Sequence, residues 1–251
     1  MRKPIIRSLA FAASILLAAS TASATAIGPS VSVGVVGGGT NYLASQGTLT
    51  LNTDGITGAW ALNSPWHSYA AGYEYAVDSW SLTLDLDPFV TNNIVVTNTS
   101  GSIQTFVATV LLSIPAFGYD RVINSSVGVT TTDSNGDGNL LFDNAGATPI
   151  YVGTVNGGSV LPLNPSGPAT IPITIADCGF TGCTAVSTNG VALQLVPGAV
   201  ATQIGITLTF RLSPGDSAGL TSRFEIVPEP GTLVLAITGL AGLGAVGRRR
   251  R

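Results

Sequence analysis

Through the middle of the chain, apolar residues recur at every second position, which is the period of a strand with one buried face. In WSLTLDLDPF, Trp80, Leu82, Leu84 and Leu86 fall on one side, and Ser81, Thr83, Asp85 and Asp87 on the other. In QIGITLTFRLSPGD, Ile204, Ile206, Leu208, Phe210 and Leu212 alternate with Gly205, Thr207, Thr209 and Arg211. Pro214-Gly215-Asp216 then supplies a turn, and Leu220 to Val227 predicts a closing strand. The segment from Ile94 to Ile114 predicts two strands joined at Thr99-Ser100-Gly101-Ser102. Strands at this spacing, separated by Gly, Asn and Pro, predict an all-β fold, an antiparallel β-sandwich of Ig-like or jelly-roll type. Between Ala145 and Val200, Pro149, Pro162, Pro165, Pro168, Pro172 and Pro197 confine strands to edges and lengthen loops. One domain with a loop-rich insertion is expected.

Both ends break the alternation. Arg2, Lys3 and Arg7 precede an apolar run from Leu9 to Ala19, and the small-residue sites Ala22-Ser23-Ala24 and Ala24-Thr25-Ala26 follow. This order predicts a signal helix over residues 1–24, exported through the Sec translocon and removed by signal peptidase. The mature chain then begins at Thr25 or Ile27. An uncleaved anchor would need a longer apolar run. At the other end, the seventeen residues from Gly231 to Gly247 carry no charge. As a transmembrane helix they span about 25 Å, slightly short of a hydrocarbon core of about 30 Å. Arg248, Arg249, Arg250 and Arg251 would stay on the cytoplasmic side. A permanent tail anchor would fit these facts equally well.

Pro228-Glu229-Pro230 changes that balance. Two prolines around one residue remove two backbone donors and hold the segment extended, a rigid peptide suited to enzymatic recognition. Val-Pro-Glu-Pro, a short Gly-rich apolar helix and a terminal arginine cluster together resemble the PEP-CTERM sorting signal of Gram-negative bacteria. The resemblance covers Pro228 to Arg251, about a tenth of the chain, and divides it into a signal peptide, a β body over 25–227 and a sorting segment over 228–251. It implies an exosortase as processing partner, a helix held only transiently in the inner membrane, and release or re-anchoring at the cell surface. It also implies an association with extracellular polysaccharide. It is an address rather than an activity.

Removing both ends alters the charge. Three of the ten basic residues lie in the signal peptide and four in the tail, leaving Arg121, Arg211 and Arg223 against twelve acids in the body. A net charge of −9 without a lysine excludes nucleic acid as a partner, because such binding needs clustered cations. Cys178 and Cys183, in DCGFTGC, are the only cysteines. In an exported chain a disulfide is the simplest reading; a metal pair is the rival, and no accompanying His or second Cys pair supports it.

Candidate chemistry concentrates in DSNGDGNLLFDN. Asp133, Asn135, Asp137 and Gly138 match positions 1, 3, 5 and 6 of an EF-hand-type calcium loop, and Asn139 offers its carbonyl at position 7. Position 12 is Asn144 rather than Glu, Asp143 falls one place early, and strands rather than helices flank the segment. The competing reading is a β-hairpin turn, for which Asn-Gly-Asp-Gly is well suited. A second segment, AWALNSPWHSYAAGYEYAVDSW, holds Trp60, Trp66, Trp80, the single histidine His67, and Tyr69, Tyr73 and Tyr75. Such rings stack on sugars, but more often fill cores, with Tyr73 and Tyr75 here on one strand face. A carbohydrate- or calcium-dependent adhesion module is therefore the first alternative to a plain surface protein, and a hydrolase of matrix polysaccharide the second. No catalytic constellation is complete, so no enzyme is expected. Asp85 and Asp87, about 7 Å apart on one strand face, are the only glycosidase-like pair. The sequons Asn98-Thr99-Ser100 and Asn124-Ser125-Ser126 are expected by chance in a Thr/Ser-rich chain.

Overall fold

The alternating segments fold as strands whose apolar sides meet. The computed structural model describes residues 28–117, 121–144, 148–163, 184–196 and 201–227. Fifteen strands occur among them: β1 (Ser30–Val35), β2 (Gly39–Tyr42), β3 (Gly47–Leu51), β4 (Thr57–Leu62), β5 (Trp66–Ser68), β6 (Tyr75–Asp85), β7 (Phe89–Asn98), β8 (Gln104–Phe117), β9 (Arg121–Thr132), β10 (Phe142–Asp143), β11 (Tyr151–Val155), β12 (Gly158–Leu163), β13 (Thr184–Val196), β14 (Ala201–Leu212) and β15 (Ser217–Val227). They form two antiparallel sheets. One runs β12-β11-β14-β8-β1-β2, with β10 also on β14; the other runs β13-β9-β15-β7-β6-β4-β3, with β5 on β6.

The pairing is nested. From β7 onward, the first strand pairs with the last (β7 with β15), the second with the last but one (β8 with β14), then β9 with β13 and β11 with β12. Successive pairs alternate between the two sheets. The chain therefore behaves as a long two-stranded ribbon with the β11–β12 turn at its tip, rolled so that its pairs fall on opposite layers. The residues before β7 extend both layers, β1 adding to β8 and β6 to β7. Pro162 lies in β12, an edge strand, where proline is tolerated.

One buried cluster joins the layers. Trp80, Leu82 and Leu84 of β6 are fully buried, as are Ile204, Ile206, Leu208, Phe210 and Leu212 of β14. Phe210 stacks between Phe106 and Phe142, at 5.4 and 5.3 Å between ring centroids. Polar ties cross the interior: the Tyr75 hydroxyl donates to the Val33 carbonyl at 3.1 Å, and the Tyr151 hydroxyl to the Arg223 carbonyl at 3.0 Å. Apolar burial at about 25 cal/mol per Å² supplies the main stabilisation, while the crossing bonds keep buried hydroxyls paired.

Three expectations change. The strand ends at Asp85, so Leu86 and Asp87 belong to the turn and the two aspartates do not share a strand face. Tyr73 precedes β6 rather than sharing its face with Tyr75, and packs over Gly37 and Gly38. The Asp133 segment is no hairpin turn: β9 lies in one sheet and β10 in the other, so the loop carries the chain between layers. The signal helix, Cys178, Cys183 and the segment from Pro228 to Arg251 lie outside the described residues.

Candidate functional site

The crossover loop begins at Asp133, which is buried at the end of β9. Its carboxylate accepts the Gly136 N–H at 2.7 Å on one oxygen and the Gly138 N–H at 3.0 Å on the other. Gly136 and Gly138 both adopt positive φ, which lets the backbone wrap around the carboxylate. Asn135 and Asp137 repeat the device on a smaller scale. The Asn135 Oδ1 accepts the Asp137 N–H at 3.0 Å, and the Asp137 Oδ1 accepts the Asn139 N–H at 2.7 Å. Asp143, the late acid of the motif, faces elsewhere and forms a bidentate pair with Arg211 of β14, with Nε to Oδ1 at 2.6 Å.

The turn after β14 packs against this loop. Asn135 Nδ2 donates to the Pro214 carbonyl at 2.9 Å, and the Ser134 and Ser217 hydroxyls lie 2.8 Å apart. Gly215 has φ +77°, and a Cβ there would stand 2.5 Å from Asn135 Nδ2. Between these contacts sits Asp216, completely buried. One of its oxygens takes the Ser213 hydroxyl, whose own oxygen accepts the Leu141 N–H at 2.9 Å. The other, Oδ1, has no hydrogen-bond partner. Burial, reinforced by the charges of Asp133 and Asp137, pushes the Asp216 carboxyl up to about 6, against the pull of Ser213 and of the Ser134 amide, which stands near the carboxylate without making a hydrogen bond of ordinary geometry. Sequence reading passed over Asp216 as a turn residue; an acid in Pro-Gly-Asp gives no sign that an acidic loop eighty positions earlier faces it. Among the described residues, no three His, Cys, Asp or Glu side chains already stand at metal-ligand spacing.

The aromatic segment divides. Trp60 and Trp80 are buried edge to face at 6.1 Å, and their indole N–H groups donate to the Ala44 carbonyl and the Asn92 side chain at 3.1 and 2.6 Å. Tyr75 is buried, and Trp66 leans on it at 5.7 Å. Only His67 and Tyr69 remain as an exposed stacked pair, 6.0 Å apart. A broad sugar-stacking platform is therefore not assembled from these rings. Asp85 accepts the Asp87 N–H at 2.8 Å, a local turn contact.

The fold defines the class first: an all-β body of two antiparallel sheets whose last described strand ends at Val227. Residues 227–251 match the family model of the PEP-CTERM protein-sorting motif, and the match is confined to this C-terminal segment. The motif implies an exported protein, sorted to the cell surface with an exosortase as processing partner. No curated protein matches the chain. No helix among the described residues is long and apolar enough to cross a membrane.

Proposed function

We propose that this chain is a non-catalytic cell-surface or extracellular-matrix protein, a jelly-roll β-sandwich delivered by its C-terminal tag. Sec export and signal peptidase would free the N-terminus near Thr25. The exosortase would then act at Pro228-Glu229-Pro230, separating the body from the apolar helix and Arg248 to Arg251. The observation that carries this reading is the motif match at 227–251, beginning where β15 ends. The nested strand pairs support the jelly-roll form over the Ig-like one, because a rolled ribbon alternates between layers as these pairs do. Asp85 ends β6 and Asp87 lies in the turn after it, so the one glycosidase-like pair does not share a strand face, which supports a non-catalytic body. Association with exopolysaccharide or biofilm is supported by the sorting tag alone.

Intact-mass measurement of the protein from its host tests the reading in membrane, surface and medium fractions. The expected species begins near Thr25 or Ile27, ends near Pro228 to Pro230, and is found at the surface or in the medium. A species retaining Arg251 and confined to membranes would make the helix a permanent anchor and overturn the sorting reading.

A further inference from the structure

We propose that the Asp133–Asn139 loop and the Pro214–Asp216 turn form one calcium site, in which Asp216 replaces the acid missing from the end of the loop motif. Asp133, Asp137 and Asp216 supply the negative charge. The Asn135 side chain and the Asn139 carbonyl supply neutral oxygens, and water completes the six to eight oxygens that calcium takes.

Two independent observations meet here. The first is the loop itself, whose D-x-N-x-D-G order presents hard oxygens at positions 1, 3 and 5. Taken alone it lacks the carboxylate at position 12. The second is Asp216, which reaches the loop from another part of the chain. It is fully buried, and its Oδ1 makes no hydrogen bond of ordinary geometry. A buried carboxylate oxygen without a partner is costly, and a bound ion or an ordered water is what satisfies such an atom in natural folds. The carboxylate faces the loop, because its neighbours on both sides are seated there: Pro214 through Asn135, and Ser217 through Ser134. Ser213 holds the other oxygen and fixes the orientation.

The cation nearest Asp216 in the chain is already engaged: Arg211 is paired with Asp143. Three carboxylates gathered without a counter-charge repel one another, and a divalent ion removes that repulsion. Asp133 retains capacity for it, since each carboxylate oxygen offers two lone pairs and each takes one N–H from the loop. Asp137 is exposed, so binding draws this side chain inward over the two buried acids. That movement sets the affinity in the range of extracellular modules, about 10⁻⁴–10⁻³ M.

The exported protein, as isolated from its host and stripped with chelator, is melted against calcium chloride or magnesium chloride. At about 100-fold excess over Kd, calcium is expected to raise Tm by roughly 5–10 °C. Magnesium, which demands a tighter octahedral shell, is expected to raise it far less. Asp216→Asn removes the buried charge and Asp137→Asn the exposed one; each is expected to lose the calcium shift. The proposal fails if the unaltered protein shows no shift, if magnesium matches calcium, or if either variant keeps the full shift. Should Asp216→Asn not fold, Asp137→Asn, altered only at an exposed position, still decides the matter.

Discussion

Asn98 ties the β7–β8 turn to the end of β14 and to the turn after it. It is completely buried, its amide donates to the Ser102 and Leu212 carbonyls at 2.8 and 2.9 Å, and its Oδ1 accepts the Ser100 N–H and hydroxyl at 3.0 and 2.7 Å. Its backbone carbonyl also takes the Gly215 N–H at 2.7 Å. The sequon at Asn98 is thus spent on the fold. Asp216, whose backbone carbonyl accepts the Asn98 N–H at 3.0 Å, gives a pH signature. A carboxyl whose folded pKa is raised from 3.8 to about 6 binds its proton more tightly in the folded state. Its contribution to stability is fully present below about pH 4, declines as pH rises, and is gone above about 6. The acids facing it are Asp133 and Asp137. In chelator, the stability difference between the wild type and Asp216→Asn is therefore expected to grow in the variant's favour from pH 4 to pH 7. Urea denaturation at several pH values measures it, and a pH-independent difference would contradict this assignment.

Elements were legible in the sequence where one face is buried, and for that reason alone. Period-2 alternation marked the inward residues of β6 and β14, because each strand packs one side on the shared core. Their partners were not legible. β8 meets β14 and β9 meets β15 across roughly a hundred residues, and nothing local encodes that distance. The same limit explains the Asp133 loop, whose turn chemistry was visible while its passage between layers was not. It also explains why Asp216 was missed as part of the site. Spacing between layers is controlled just as finely. Gly153 of β11 lies under the Phe224 ring, and a Cβ there would fall 2.5 Å from it. Phe224 is itself fully buried against the core, so the ring cannot simply move away. Gly153→Ala is expected to cost about 1–3 kcal/mol by overpacking, read by chemical denaturation. An unchanged midpoint would mean that the layers yield at this point.

At the scale of the whole molecule, the last described strand is not at an edge. β15 lies between β9 and β7 and pairs with both, and Ala218, Leu220, Phe224 and Ile226 carry its apolar side into the core. A chain ending at Asp216 would leave both neighbours as open edges and is expected to lose its cooperative melt. A chain ending at Val227 should keep it. Near-ultraviolet circular dichroism with a thermal ramp separates the two, and a folded shorter chain would contradict the central role of β15.

That placement also orders events in time. A chain exported N-terminus first, as proposed above, delivers β7 and β9 long before the strand that belongs between them. Until Val227 has crossed, the interior cannot close, and two long unpaired edges stand ready to join foreign chains. The recognition peptide begins at the very next residue, so completion of the sheet and presentation of Pro228-Glu229-Pro230 fall within the same few residues of passage. On the reading proposed above, the tail holds the newly delivered body at the membrane until the last strand has docked, so that folding precedes departure.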